Sequence, residues 1–303
     1  MTAPQPDPLA EARHAVLHAW AAIAHFYCGE FEVFHKDDGP ATEADRLADR
    51  LIVEHLARQF PRPDYGFLSE EFEDDASRLE RSRVWIIDPI DGTNDFMEGL
   101  DDFAVHVALA ERGSDGRFRP VAAIVYQPCP GWLFSARAGG GAFLEIEQRD
   151  DPDDAWWHSP APDPAEARFD APVRLAVSRT AARQALVAIV SRSHMTRRLK
   201  AALEGLAVAR VLRRGSLGVK IADVARGAAD FYLHTEHGRC KEWDLCAPHL
   251  ILEEAGGQVT DLRGQPIFYN QPDVRAHHGV LASNGVAHDL LLQRLAQIPE
   301  LFQ

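Results

Sequence analysis

The residues best placed for chemistry lie in Val84-Trp85-Ile86-Ile87-Asp88-Pro89-Ile90-Asp91-Gly92-Thr93. A β-rich apolar run ends in two carboxylates, Asp88 and Asp91, with Pro89 between them. Proline fixes φ and withdraws a donor, and Gly92 permits a sharp turn, so both acids sit on a stiff loop at a strand end. Hard divalent cations take such oxygen ligands, and Mg²⁺ is commonly held by one or two carboxylates plus a substrate phosphate. The Gly92 and Thr93 amides would face an anion if they open a helix or a concave turn. An Asp-Gly pair alone signals no more than a turn; the whole run points to a metal.

Further acids occupy comparable positions. Glu70 follows a short apolar run, 65–69, in Tyr-Gly-Phe-Leu-Ser-Glu-Glu. Asp244 follows Trp243 at the start of a helical pattern, where an N-cap aspartate is the plain alternative. Asp45 stands three residues after Thr42, where it would also complement a helix dipole. Glu70, Asp88, Asp91 and Asp244, with Thr93 beside them, suit two or more Mg²⁺ ions clamping a phosphate for in-line attack by water. Without metal they would raise one another's pKa values.

The elements that must position these groups are legible in outline. Leu9, Ala12, Val16, Ala19, Trp20, Ile23 and Tyr27 recur at three and four, predicting a helix over 8–27. Residues 36–40 form a turn, and Thr42 caps a second helix reaching Gln59. After Phe96 the period becomes two, through Phe103, Val105, Val107 and Leu109, then 121–125 and 132–136, predicting antiparallel strands. Residues 147–170 are acidic, Pro-rich and aperiodic, an insertion or linker, and the Trp156-Trp157 pair within it has no assignment. Beyond it, strands at 173–178, 186–191, 209–212, 229–234, 259–261 and 280–282 alternate with helices at 195–206, 217–226, 244–255 and 288–297. The expected class is α/β: an α+β N-terminal half, residues 1–165, carrying the metal loop, and an α/β C-terminal half, 166–303, binding substrate.

The 303-residue chain is 46% hydrophobic and carries a formal charge of −14. That balance argues against binding a nucleic acid polymer. No apolar run approaches a membrane span, and Met1 to Pro8 lacks the features of a secretory signal. Cys28, Cys129, Cys240 and Cys246 show no CxxC spacing, which fits reduced thiols in a cytoplasmic protein. A homodimer is an allowed assembly. Charge is uneven: from Arg192 to Arg226 nine Arg and Lys face two acids, Glu204 and Asp223. Such an excess suggests a docking place for an anion, the plain alternative being a solvated helix face.

Trp85 to Thr93, followed by Trp243-Asp244 and Glu254-Ala255-Gly256-Gly257, resembles the paired signatures of the inositol monophosphatase superfamily. Leu68-Ser69-Glu70-Glu71 and Thr42-Glu43-Ala44-Asp45 are similar to its upstream acidic elements, in the same order. The resemblance covers residues 36–284. It implies a layered αβαβα fold and a lithium-sensitive, Mg²⁺-dependent phosphomonoesterase. Within the superfamily, Lys36-Asp37-Asp38-Gly39, Ser191-Arg192-Ser193-His194, Lys220 and the stretch from Cys240 to Pro248 resemble 3′(2′),5′-bisphosphate nucleotidases.

Carried onto this chain, the resemblance implies that Glu70, Asp88 and the Ile90 carbonyl hold a first metal. Asp88, Asp91 and Asp244 would hold a second, and Asp45 with Glu70 a weaker third. Thr93, hydrogen-bonded toward Asp45, would orient and help deprotonate water. The Gly92 and Thr93 amides would take the scissile phosphate, while Ser191, His194, Ser216 and Lys220 would contact nucleotide. The expected substrate is then 3′-phosphoadenosine 5′-phosphate, and the basic segment would bind its uncleaved phosphate. Asn94-Asp95-Phe96 lies between the nucleotidase wording, often Lys-Glu, and the monophosphatase wording, often Asn-Phe. An inositol or other sugar phosphatase therefore remains the alternative, and a non-catalytic anion- or metal-binding protein is the rival of another class.

Overall fold

The computed structural model describes residues 5–27, 29–36, 39–61, 64–149 and 167–301. Asp37-Asp38 of the expected turn, Cys28, and residues 150–166 of the expected insertion with Trp156-Trp157 lie outside these. The order is α1 (Pro8–Ile23), β1 (Val33–Lys36), β2 (Gly39–Thr42), α2 (Glu43–Gln59), β3 (Tyr65–Ser69), β4 (Arg83–Asp91) and α3 (Thr93–Met97). Next come β5 (Ala104–Arg112), β6 (Phe118–Gln127), β7 (Trp132–Arg137), β8 (Gly141–Ile146), β9 (Val173–Arg174) and β10 (Val187–Ser191). The chain continues through α4 (Arg197–Leu206), β11 (Arg210–Arg214), α5 (Leu217–Ala225) and β12 (Phe231–His234). It finishes with α6 (Glu242–Glu254), β13 (Gln258–Thr260), β14 (Val280–Ser283) and α7 (His288–Leu295).

Period-two alternation sorts the first sheet into two faces. In β4, Trp85 and Ile87 join the cluster built with α1 and α2, while Val84 and Ile86 join the cluster facing α5 and α6. In β5, Val105, Val107 and Leu109 face α1 and α2, leaving Ala104, Ala108 and Ala110 on the other side. Small residues on that side let helices approach closely, and α6 packs across β4 to β8. This sheet has the order β3-β4-β5-β6-β7-β8-β9, with only the β3–β4 pair parallel.

The second sheet has the order β11-β10-β12-β14-β13. Its β10 pairs in parallel with β11 and β12, and β14 is antiparallel to both its neighbours. Helix α5 packs on this sheet from the α6 side, and α4 with α7 cover its other face. The layers therefore run α1/α2, first sheet, α5/α6, second sheet, α4/α7, the αβαβα order expected. Two local expectations differ. The strand anticipated at 173–178 is reduced to β9, which hydrogen-bonds to β8 at the edge of the first sheet. Helix α6 begins at Glu242, two residues before its anticipated start.

Ile251 is fully buried in the cluster that α6 shares with both sheets. Ile251→Ala is expected to cost about 2–5 kcal/mol of unfolding free energy. In urea titrations followed by far-UV circular dichroism the midpoint should fall while the slope is unchanged.

Candidate active site

In a regular strand, residues three apart face opposite ways. Asp88 and Asp91 nevertheless reach one cavity, because the β4–β5 register shifts between them, around Pro89. Gly92 then turns the chain at φ +98°, and a side chain there would press on the Asp102 carbonyl and on Phe103. Helix α3 follows, anchored by the buried Phe96, whose ring meets Phe103 edge-on at 5.1 Å. Thr93 is thereby held at the mouth of the turn.

The other acids are placed by helix starts. Asp45 is the third residue of α2, and its Oδ2 accepts from the Thr42 amide at 2.7 Å and from Thr42 Oγ1 at 2.6 Å. Asp244 holds the same position in α6, with Oδ2 accepting from the Lys241 amide at 2.6 Å. Asp244 is therefore not an N-cap but the acid that reaches back to one. The other Asp45 oxygen, Oδ1, lies 3.1 Å from Thr93 Oγ1, which is equally close to the Ile90 carbonyl.

One oxygen each from Asp88, Asp91 and Asp244 lies within 4.8 Å of the others, a group that could hold a metal ion. Glu70 and Ile90 line the same cavity, although Glu70 falls outside that tight group. Asp88 Oδ1 accepts from the Ile90 amide at 3.1 Å, and its Oδ2 is buried with no hydrogen-bond partner. Burial, then the charges of Glu70, Asp91 and Asp244, holds the Asp88 pKa well above the carboxylate range. Asp244 is raised by burial and by Asp91 and Glu70. Asp45 is pushed up to about 6, mainly by burial. An orphaned carboxylate oxygen among like charges is what a bound cation would satisfy, so these residues fit a metal.

The cavity, about 350 Å³, is of the size that small-molecule sites occupy. Gly92, Thr93, Ser191, His194 and Lys220 line it. His194 Nδ1 lies 2.8 Å from Ser193 Oγ and 3.4 Å from Ser191 Oγ. Lys220 is buried, donates to the Gly215 carbonyl and stands 5.3 Å over the Tyr232 ring. Burial brings its pKa down to about 8 against the pull of Asp91, Asp95 and Asp102.

Ser216 requires a correction. It is buried behind Asp91 and does not line the cavity; its hydroxyl bonds Asp91 Oδ2 and caps α5 at the Val219 amide. Three cations of the basic segment are also engaged elsewhere. Arg192 is bound by Asp95 and Asp102, Arg214 by Asp102 and Asp223, and Arg226 by Asp223. Of its nine cations only Lys220 lines the cavity. Ser193 of the Ser191–His194 segment lines it too, and sequence reasoning passed over Tyr232, His234, Glu236 and Arg239, which also line it. The available signal was position: Tyr232 and His234 lie in β12, and Glu236 and Arg239 between it and the Trp243-Asp244 pair.

Residues 6–300 match the inositol monophosphatase family, and the chain belongs to it. It is 32% identical to the inositol-1-monophosphatase of Rhizobium meliloti over 75% of this chain and 74% of that protein. It is 35% identical to the 3′-phosphoadenosine 5′-phosphate phosphatase of Mycobacterium bovis, over 76% and 72%. The solved structure of the Thermotoga maritima IMPase aligns with a TM-score of 0.73 at 26% identity, covering 97% of this chain and 99% of that one. The protein is thus a phosphatase of this family, and its relatives divide over substrate. Among the described residues, no helix is long and apolar enough to cross a membrane.

Protons and a metal compete for the crowded carboxylates. Their folded pKa values are raised, so stability is lost as pH climbs from the ordinary value of 3.8 through about 6 for Asp45 and about 8 for Asp244, with Asp88 shifted in the same direction. His55, His234 and His288, whose pKa values are lowered by desolvation, act in the opposite sense. The difference in melting temperature between Mg²⁺ and EDTA samples isolates the carboxylates. It should grow as pH rises from about 5 to 8; a difference independent of pH would contradict the assignment.

Proposed function

We propose that the protein is a Mg²⁺-dependent phosphomonoesterase that removes the 3′-phosphate of 3′-phosphoadenosine 5′-phosphate, giving AMP and phosphate. The observation that carries the phosphatase reading is the partnerless, buried Asp88 Oδ2 among Asp91 and Asp244, at the floor of a cavity that Thr93 borders. Asp88, Asp91 and Asp244, with Glu70 and the Ile90 carbonyl, would hold two or three Mg²⁺ ions. Bound there, Mg²⁺ supplies charge neutralisation of the phosphate and acidifies water. Thr93 Oγ1, tied to Asp45 Oδ1, orients the attacking water, and Asp45 is placed to receive its proton through the threonine hydroxyl. The Gly92 and Thr93 amides take the scissile phosphate. Lys220, Ser191 and His194, which line the same cavity, contact the nucleotide; Ser216 instead supports Asp91.

A polyol phosphate such as inositol phosphate is the second reading. It is favoured by the carboxylates of Asp95 and Glu236, which line the same cavity and would accept hydroxyl groups while repelling a second phosphate.

Phosphate release from the bisphosphonucleotide and from inositol 1-phosphate separates the two readings; a preference for the inositol ester would sink the first. Lys220→Ala should lower kcat/KM for the bisphosphonucleotide roughly ten- to a hundredfold, the scale of a lost charged hydrogen bond. Hydrolysis of small phosphomonoesters should be largely spared. Asp88→Asn, which removes a shared ligand, is expected to cost at least roughly a hundredfold in turnover with every ester. Unchanged turnover would refute the metal assignment.

A further inference from the structure

The function proposed above leaves one buried imidazole unused. His106 lies on the β5 face otherwise made of Ala104, Ala108 and Ala110, with no exposed surface. Apolar side chains would fill that face at no polar cost, so a ring with two nitrogens there needs a reason. Its surroundings supply one. Across the strand pair its partner is Asp88. Its Nε2 is 3.3 Å from Asp91 Oδ2. The ring also meets the backbone of Trp243, the residue before Asp244. Neither nitrogen closes a well-aligned hydrogen bond, so these loose polar contacts are all that answers its burial.

Helix α5 is shaped around the ring. A Cβ on Gly218 would overlap the imidazole, so the second residue of that helix has no side chain despite the helical cost of glycine. The Gly218 amide donates at 2.7 Å to the same Asp91 oxygen that His106 faces, and Ser216 Oγ donates to it as well. One oxygen of Asp91 is thus enclosed by β5 and by the start of α5. Left unrestrained, a carboxylate crowded by Asp88 and Asp244 would swing away from them.

We propose that His106 is a positioning residue of the metal centre. It braces Asp91 against Asp88 and against the start of α6, so that the three carboxylates present oxygens to one cation, and Gly218 is the gap that admits the ring. The inference rests on Asp88, Asp91 and Asp244 being metal ligands.

The test is Mn²⁺ binding to the metal-free protein by isothermal titration calorimetry, with melting temperature recorded in EDTA. His106→Phe keeps an aromatic ring, larger than the imidazole, and removes the nitrogens. It should weaken Mn²⁺ binding roughly ten- to a hundredfold, and the metal-free melting temperature shows how far crowding against Gly218 alone has disturbed the fold. His106→Gln, which returns a nitrogen within reach of Asp91, should recover most of the affinity. Gly218→Ala should lower both quantities. Adding His106→Ala to it relieves the overlap, and should restore melting temperature but not affinity. If His106→Phe fails to fold, His106→Gln and the double variant make the same comparison. Parental affinity in His106→Phe, or recovery of affinity in the double variant, would overturn the role. A parent chain that binds no Mn²⁺ would instead overturn the metal centre itself, and this inference with it.

Discussion

Three carboxylates with oxygens inside 4.8 Å, largely removed from water, repel one another strongly, and much of this molecule can be understood as the apparatus that keeps them there. Each is held by backbone amides or buried polar groups: Asp88 by the Ile90 amide, Asp244 by the Lys241 amide, and Asp91 by the Gly218 amide and Ser216. The restraints come from both sheets' connecting segments and from two helix starts. Opening any of the central layers would release them. The layered order is therefore a condition of the site, because β4 brings two acids and α6 brings the third from a distant part of the chain.

The positive charges illustrate why a count over a sequence window differs from a charge at a site. Arg226 is spent on Asp223, one turn back in α5, whereas Arg192 and Arg214 are spent on Asp95 in α3 and on Asp102 in the loop between α3 and β5. Such pairs cross the middle of the fold and hold the Ser191–His194 segment and the Gly215 turn beside that loop. Gly215 itself sits so close to Asp95 that a side chain would collide with the carboxylate. The cations fix the walls of the cavity, while Lys220 and Arg239 face into it. Beyond the clustered carboxylates, the other acids that line the cavity are Asp95, itself paired with Arg192, and Glu236.

The acidic loop at the end of β4 was legible because it is local: an apolar run, two acids, a proline and a glycine occupy ten consecutive positions. Strand faces were legible for the same reason, since period-two alternation in β5 sorts Val105, Val107 and Leu109 from Ala104 and Ala108 without reference to anything distant. What could not be read depends on contacts between segments far apart in sequence. Ser216 looks like a substrate contact by its motif, yet Asp91, 125 residues away, claims its hydroxyl. Val173 and Arg174 read as the start of a new sheet, but the free edge of β8 captures them. Nothing local marks His106 in the sequence, because the carboxylate it faces lies beyond a register shift that no periodicity reveals.

The acids at helix starts deserve a different conclusion from the one suggested by treating structure and function as rivals. Asp45 and Asp244 are ordinary third-position acids, bonded back to the amide that precedes their helix. That bond uses Oδ2 in both cases. In Asp45 it leaves Oδ1 aimed at Thr93. A capping contact immobilises one oxygen and so orients the other, and the helix dipole offsets part of the charge. The structural account of these residues is then the reason the functional one can work: the cap supplies the rigidity that a shared metal site demands of side chains carried by separate elements.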